Sequence, residues 1–133
     1  FNNLEKVKMP MGSPHSDVYV NRAGDMMLFS SIMQEHENDS IMDWNIWKST
    51  RLNGQWQKPT PFFEQNVEGN QFYPWLTDSG NLYMAITPHG SGNSDLFVSK
   101  RINGQYEKPI PLLGDIKKRA FIEDYSLLII SNK

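Results

Sequence analysis

Residues 45–62, NIWKSTRLNGQWQKPTPF, are written again at 95–112 as DLFVSKRINGQYEKPIPL. This repeat constrains the fold more than any composition does, because a period of this length marks stacked copies of one supersecondary unit. Eight of the 18 aligned positions are identical. Most of the others exchange like for like: Ile46/Leu96, Trp47/Phe97, Leu52/Ile102, Trp56/Tyr106 and Phe62/Leu112. Asn-Gly, Lys-Pro and a second proline stay in step with the aromatics.

Each copy reads as strands. NIWKSTR and DLFVSKR are short runs rich in aromatic and branched residues. Asn53-Gly54 and Asn103-Gly104 follow them, and Asn-Gly tolerates the positive φ of a tight hairpin. QWQKP and QYEKP then return as a partner strand. Pro59 and Pro109 cannot donate to a ladder, so that strand is an edge or ends there. Upstream, FYPWLTDSGNLYMAI predicts strands at 72–76 and 82–86 around a turn at Asp78-Ser79-Gly80. DVYVNRAGDMMLFSS and AFIEDYSLLIISNK are its relatives. In all three a polar turn precedes an unbroken apolar run (MMLF, LYMAI, LLII), which predicts a strand covered on both faces. The unit is therefore four antiparallel strands, a to d, with b sandwiched between neighbouring copies. FNNLEKVKMPM can be laid on INGQYEKPIPL, which makes residues 1–11 a strand d of a preceding unit. Units then occupy 12–62 and 63–112, and 113–133 supply the first two strands of another. The unit spacing is near the ~40–50 residues of a propeller blade.

These motifs resemble the WD40-like, TolB-like β-propeller repeat family. Its pattern is approximately P-x-[IVL]-S-x-D-G-x-x-L-Y-F-x-S, a Gly-rich loop, D-[IL]-[YW]-x-S, then N-G-x-W-x-x-P-x-x-L. Pro74, Asp78, Gly80, Leu82 and Tyr83 fit the first part, Asp95, Leu96, Phe97 and Ser99 the second, and Asn103, Gly104, Tyr106 and Pro109 the third. The first copy departs by carrying Asn45 for Asp, and Tyr125-Ser126 replace a glycine after Asp124. The resemblance implies an all-β propeller of four-stranded antiparallel blades, of which this chain holds about 2.5–3. It also implies a bacterial protein, periplasmic or extracellular, that binds a ligand. Both ends cut inside a blade, and closed propellers need at least about four. The expectation is a segment of a larger propeller, with self-association of copies to complete a ring as the second possibility. The chain begins at Phe1 rather than Met, so either a cleaved signal or a longer parent protein is expected.

Topology sorts the loops. In an antiparallel abcd unit the a–b and c–d turns share one face, and these are short here. The b–c loops (33–43 and 87–94) and the d–a connections (11–16, 63–71 and 113–119) share the other, where function usually sits. His15, His36 and His89 all fall there, with Glu35, Glu37, Asp39, Glu64 and Glu68. His36, Glu64, His89 and Asp39 are the candidate ligand-binding residues of these loops. A His/carboxylate metal site is conceivable, but no pair has H-E-x-x-H spacing, and polar surface residues explain the loops more simply. No metal or cofactor is assigned. Asp95, opening strand c, is expected to close its loop by bonding to backbone rather than to hold calcium. Repeated aromatics, Tyr73 and Trp75 among them, are expected in the inter-blade core. Trp44 has a polar counterpart, Ser94, and joins the candidate ligand contacts.

Function classes narrow next. Thirteen basic and 15 acidic residues leave a net charge of −2, without the basic footprint of a nucleic-acid binder. There is no cysteine, so no disulfide framework and no thiol nucleophile. No apolar run approaches the ~20 residues of a membrane-spanning helix, so no membrane insertion is expected. G-x-S-x-G is absent. The leading reading is a non-catalytic binding module presenting loops to a protein, peptide or glycan. The rival is a propeller-type hydrolase or lyase, or the propeller domain of one, acting on polysaccharide or peptide.

Overall fold

The computed structural model describes residues 14–33 and 43–112, and within them the chain is all-β and antiparallel with no helix. The proposed strands at 1–11 and 120–133, the loop residues Glu35, His36, Glu37 and Asp39, and the connection 113–119 lie outside the described residues. The first unit comprises β1 (His15–Val20), β2 (Met26–Ser31), β3 (Asn45–Leu52), β4 (Gln55–Trp56) and β5 (Thr60–Pro61). The second comprises β6 (Asn70–Leu76), β7 (Leu82–Thr87), β8 (Asp95–Ser99), β9 (Arg101–Ile102), β10 (Gln105–Tyr106) and β11 (Ile110–Pro111). Sheet order follows the chain in both: β1-β2-β3, then β4 and β5 on β3; and β6-β7-β8, then β11, with β9 and β10 forming the hairpin tip. These are the a, b, c and d strands expected from the repeat.

The fourth strand is in two pieces in each unit, and proline is the reason. β4 pairs with Arg51 and Leu52, whereas β5 pairs with Trp47 and Lys48. Pro59, which has no N–H to give, lies in the gap, as does Pro109 in the second copy. A serine holds each gap closed. Ser49 Oγ donates to the Gln57 carbonyl at 2.6 Å, and Ser99 Oγ to the Glu107 carbonyl at 2.5 Å. Both serines are buried. This repeated bond gives the fixed Ser of strand c a physical role.

The Asn-Gly turns also match. Asn53 and Gly54 have φ of 50° and 80°, and Asn103 and Gly104 have 51° and 82°. Two successive left-handed residues are the backbone a two-residue hairpin needs. A Cβ on either glycine would meet open space, so only backbone strain opposes substitution there. Gly54→Val and Gly104→Val are each expected to lower stability by ~1 kcal/mol or more. Equal unfolding midpoints for parent and variants would contradict this.

The units pack through one apolar cluster. Leu28 and Ile46 of the first unit meet Leu82, Met84 and Ile86 of the second, with Phe62, just after β5, and Val67 of the connection between them. Each such side chain contributes roughly 1.5–3 kcal/mol of burial. Alternation along β2 sends Met27 and Phe29 to the opposite face, where they join Met33 and Trp47 in a second buried cluster. Along β7 the same alternation separates Leu82, Met84 and Ile86 from Tyr83, which pairs with Val98 and is also buried. Both b strands are thus covered on both faces, as their unbroken apolar runs predict. Tyr19 adds a polar tie, its hydroxyl donating to the Leu76 carbonyl at 2.8 Å. Burial, reinforced by the Asp78 carboxylate, raises the Tyr19 pKa above the ordinary 10.0. A raised phenol pKa adds stability fully present below that ordinary value, and lost as pH climbs through the folded one.

Strand a carries a bulge in both units. Ser16 pairs with Ser30 and Tyr19 with Leu28, so residues 17 and 18 stand opposite one partner residue. Phe72 pairs with Ala85 and Trp75 with Tyr83, so residues 73 and 74 do the same. Asp17 (φ 55°) and Tyr73 (φ 52°) occupy the equivalent left-handed position. The bulges lie on sheet edges and turn side chains outward. Tyr73 and Trp75 are 69% and 49% exposed, which corrects their expected placement in the core.

Candidate functional site

The short turns gather on one face. The Arg51 N–H donates to the Asp25 carbonyl (2.7 Å), and the Arg101 N–H to Asn81 Oδ1 (3.1 Å), so each a–b turn is tied to its c–d hairpin. The longer segments meet at the other end of the strands, built around Gln71. This side chain is buried near the start of β6. Its Oε1 accepts from the Ile46 N–H at 3.3 Å, and its Nε2 donates to Asn45 Oδ1 (2.8 Å) and the Val67 carbonyl (3.1 Å). Its own N–H donates to the Trp44 carbonyl at 2.6 Å, while the Trp44 N–H donates to Asn70 Oδ1 at 3.0 Å. One glutamine and its neighbour therefore stitch the entry of β3 to the d–a connection.

That stitching fixes Trp44, whose ring packs on Phe72 at 5.6 Å between centroids. It also fixes Asp43 one residue upstream. Asp43 Oδ2 lies 3.2 Å from His89 Nε2, in the b–c loop of the other unit. His89 sits at the tip of a turn in which the Ser91 N–H donates to the Pro88 carbonyl (3.0 Å) and Gly90 has φ 73°. A positive φ at the third turn position is what glycine supplies there. Thr87 Oγ1 and Ser94 Oγ, 2.6 Å apart, close the neck of the loop. Asp95 was expected to close it, but its side chain is exposed and the hydroxyl pair spans the neck instead. Gly69 (φ 94°) is buried, and a Cβ on it would lie 2.7 Å from the Thr87 carbonyl oxygen, which brings the d–a connection to the base of this loop.

No protein-family model matches the chain, and neither a curated protein nor a solved structure matches it. The reading of the site rests on its own geometry.

Of the sequence candidates, His89 is held by Asp43, which sequence reasoning missed, and Trp44 follows Asp43 in the chain with its ring on Phe72. Asp43 precedes a strand without forming any motif, so only the fold reveals its partner. Glu64 is exposed on the d–a connection. His36 and Asp39 lie outside the described residues. His15 is not a loop residue at all. It opens β1, packs edge-on against Phe29 (5.3 Å), and its Nδ1 lies 3.3 Å from Ser31 Oγ. Gln71 was also missed, although a glutamine amid strand residues is a signal of an internal polar tie.

Chemically, the Asp43 carboxylate can orient the His89 imidazole. The ring is 55% exposed, so it remains open to a ligand. Among the described residues no three His, Cys, Asp or Glu side chains come together as a metal would require. A hydrogen-bonding imidazole and a carboxylate held together across two loops suit recognition of a polar ligand.

Proposed function

We propose that this chain is a non-catalytic binding module, built on β-propeller blades, that presents its b–c loops and d–a connection to a protein, peptide or glycan. The observation that carries the reading is the pairing of Asp43 with His89, which joins the b–c loops of two units one residue from Trp44. A rigid internal tie at Gln71 supports them, as a binding site on loops needs. The family resemblance adds periplasmic or extracellular export and closure of a ring by further blades or by a second copy. Two b strands sandwiched on both faces favour that stacking.

The pair also supports a second reading. An imidazole oriented by a carboxylate is the general-base half of a hydrolase or lyase site, acting on polysaccharide or peptide.

Isotope-labelled protein titrated with panels of peptides and oligosaccharides tests the first reading. Shifts are expected at residues 43–44, 63–71 and 87–94. Trp44→Ala, Glu64→Ala and His89→Ala should each weaken the bound probe, with about tenfold, or ~1.4 kcal/mol, for His89 and Trp44. Asp78→Ala and Ser79→Ala on the opposite face should leave affinity unchanged. Shifts confined to the a–b and c–d turns would overturn the assignment. Turnover of a probe that vanishes in His89→Ala would establish the second reading.

A further inference from the structure

The two Asn-Gly hairpins carry the same chemistry in different surroundings, and that difference does not depend on the loop-face reading. Asn53-Gly54 stands in RLNGQ and Asn103-Gly104 in RINGQ, so their neighbours differ by one Leu/Ile exchange. All four residues are exposed. Both asparagines and both glycines are left-handed, so the backbones match as well. Asparagine is a thermolabile residue. It is most so before glycine, where no Cβ hinders the next amide nitrogen from reaching the Asn Cγ.

What differs is the hold on each turn. Arg51 Nε donates to the Gly54 carbonyl at 3.0 Å, and the guanidinium lies over the Trp56 ring, 5.9 Å from its centroid. Arg51 therefore clamps the turn to the strand and is itself anchored by a cation–π contact. In the second unit Tyr106 takes the place of Trp56, but its ring is drawn into the packing between units, 4.6 Å from Phe62 and 6.4 Å from Phe63. Arg101 lies along the a–b turn instead, where a Cβ on Gly80 would stand 3.3 Å from Arg101 Cδ. Packing of one unit on the other thus takes both parts of the clamp away from Asn103-Gly104.

We infer that Asn103 is a site of spontaneous conversion to aspartate and isoaspartate in the folded protein, and that the Arg51 clamp spares Asn53. The Gly104 nitrogen loses its proton to solvent base and attacks Asn103 Cγ. The N–Cγ bond forms, the Cγ–Nδ2 bond breaks, and ammonia leaves after taking a proton from water. Water then opens the succinimide ring at one carbonyl or the other, giving aspartate or isoaspartate. Ring closure turns the 103–104 peptide out of its two-residue turn. At Asn53 the same rotation would also pull the Gly54 carbonyl from Arg51. Isoaspartate routes the backbone through Cβ and Cγ, one atom longer, which breaks the pairing of Ile102 with Gln105.

The intact chain, held folded in mildly alkaline buffer, is sampled over time and its peptides are mapped by mass spectrometry, with isoaspartate separated by retention. Asn103 should convert severalfold faster than Asn53. In urea the two rates should become alike, because the local sequences match. Arg51→Met keeps the side-chain length but removes the donors, and it should bring Asn53 up to the rate of Asn103 while leaving Asn103 unchanged. Trp56→Leu, which removes the other anchor, should also speed Asn53 alone. Equal rates in the folded parent, or a faster Asn53, would overturn the inference. A difference that persists in urea would place its cause in the sequence and overturn it too. So would an Asn53 that stays slow in both variants, or a rise of both sites together in both, since the whole fold and not the clamp would then protect the turn.

Discussion

Gly69→Ala is expected to destabilise the fold by about 3 kcal/mol, more than the same change at any other described glycine. Two costs add. The residue has φ 94°, where an L side chain is strained by about 1–2 kcal/mol. A Cβ built there would also lie 2.7 Å from the Thr87 carbonyl oxygen and 3.0 Å from Ile86 Cγ2. The first of these is backbone of a paired strand and cannot swing aside, so overpacking adds about 1–3 kcal/mol. Gly54→Ala is the matched control: its φ is similarly positive but its Cβ would meet open space. Urea unfolding should show a much smaller loss for Gly54→Ala than for Gly69→Ala. Similar midpoints for the two variants would mean that the d–a connection does not pass so close to β7.

Gln71→Leu is expected to cost about 3 kcal/mol, although it exchanges a polar side chain for an apolar one of similar size in a buried place. The loss comes from what the amide leaves behind. The Ile46 N–H, the Val67 carbonyl and Asn45 Oδ1 would each lose a partner, and a buried polar group left unsatisfied costs ~1–3 kcal/mol. Gln71→Glu should cost at least as much, since it keeps an acceptor for Ile46 but sets a buried carboxylate against the Val67 carbonyl and Asn45 Oδ1. The effect should extend to function. Trp44 is held by the backbone of residue 71, so a probe bound at the loop face should dissociate faster even under conditions where the variant is fully folded. Unchanged stability in Gln71→Leu would show that the tie carries no energy.

The repeat and the Asn-Gly hairpins were legible because their determinants are local. The sandwiching of β2 and β7 was legible because an unbroken apolar run has one physical meaning in a sheet. The convergence of Asp43 and His89 was not, since it depends on how two units pack across 46 residues of chain. Tyr73 and Trp75 were misplaced because recurrence at one position of the repeated unit was equated with burial. Strand a is an edge, and a bulge turns its side chains outward. Pro74 carried the missed signal: a proline inside a strand marks an edge or a bulge.

The hydroxyl pair at the neck of residues 88–94 separates loop length from strand register. Equivalent residues in the a–b half, such as Gly24 and Gly80, stand 56 apart, whereas Asn53 and Asn103 in the c–d half stand 50 apart. The difference falls wholly between strands b and c, and the strands on either side keep the same pairing order. Each doubling of such a loop costs only about 0.6 kcal/mol in closure entropy. A foreign sequence spliced between Pro88 and Asn93 would therefore ride on the neck without disturbing the sheet, which makes this unit a scaffold on which new recognition can be grafted one loop at a time.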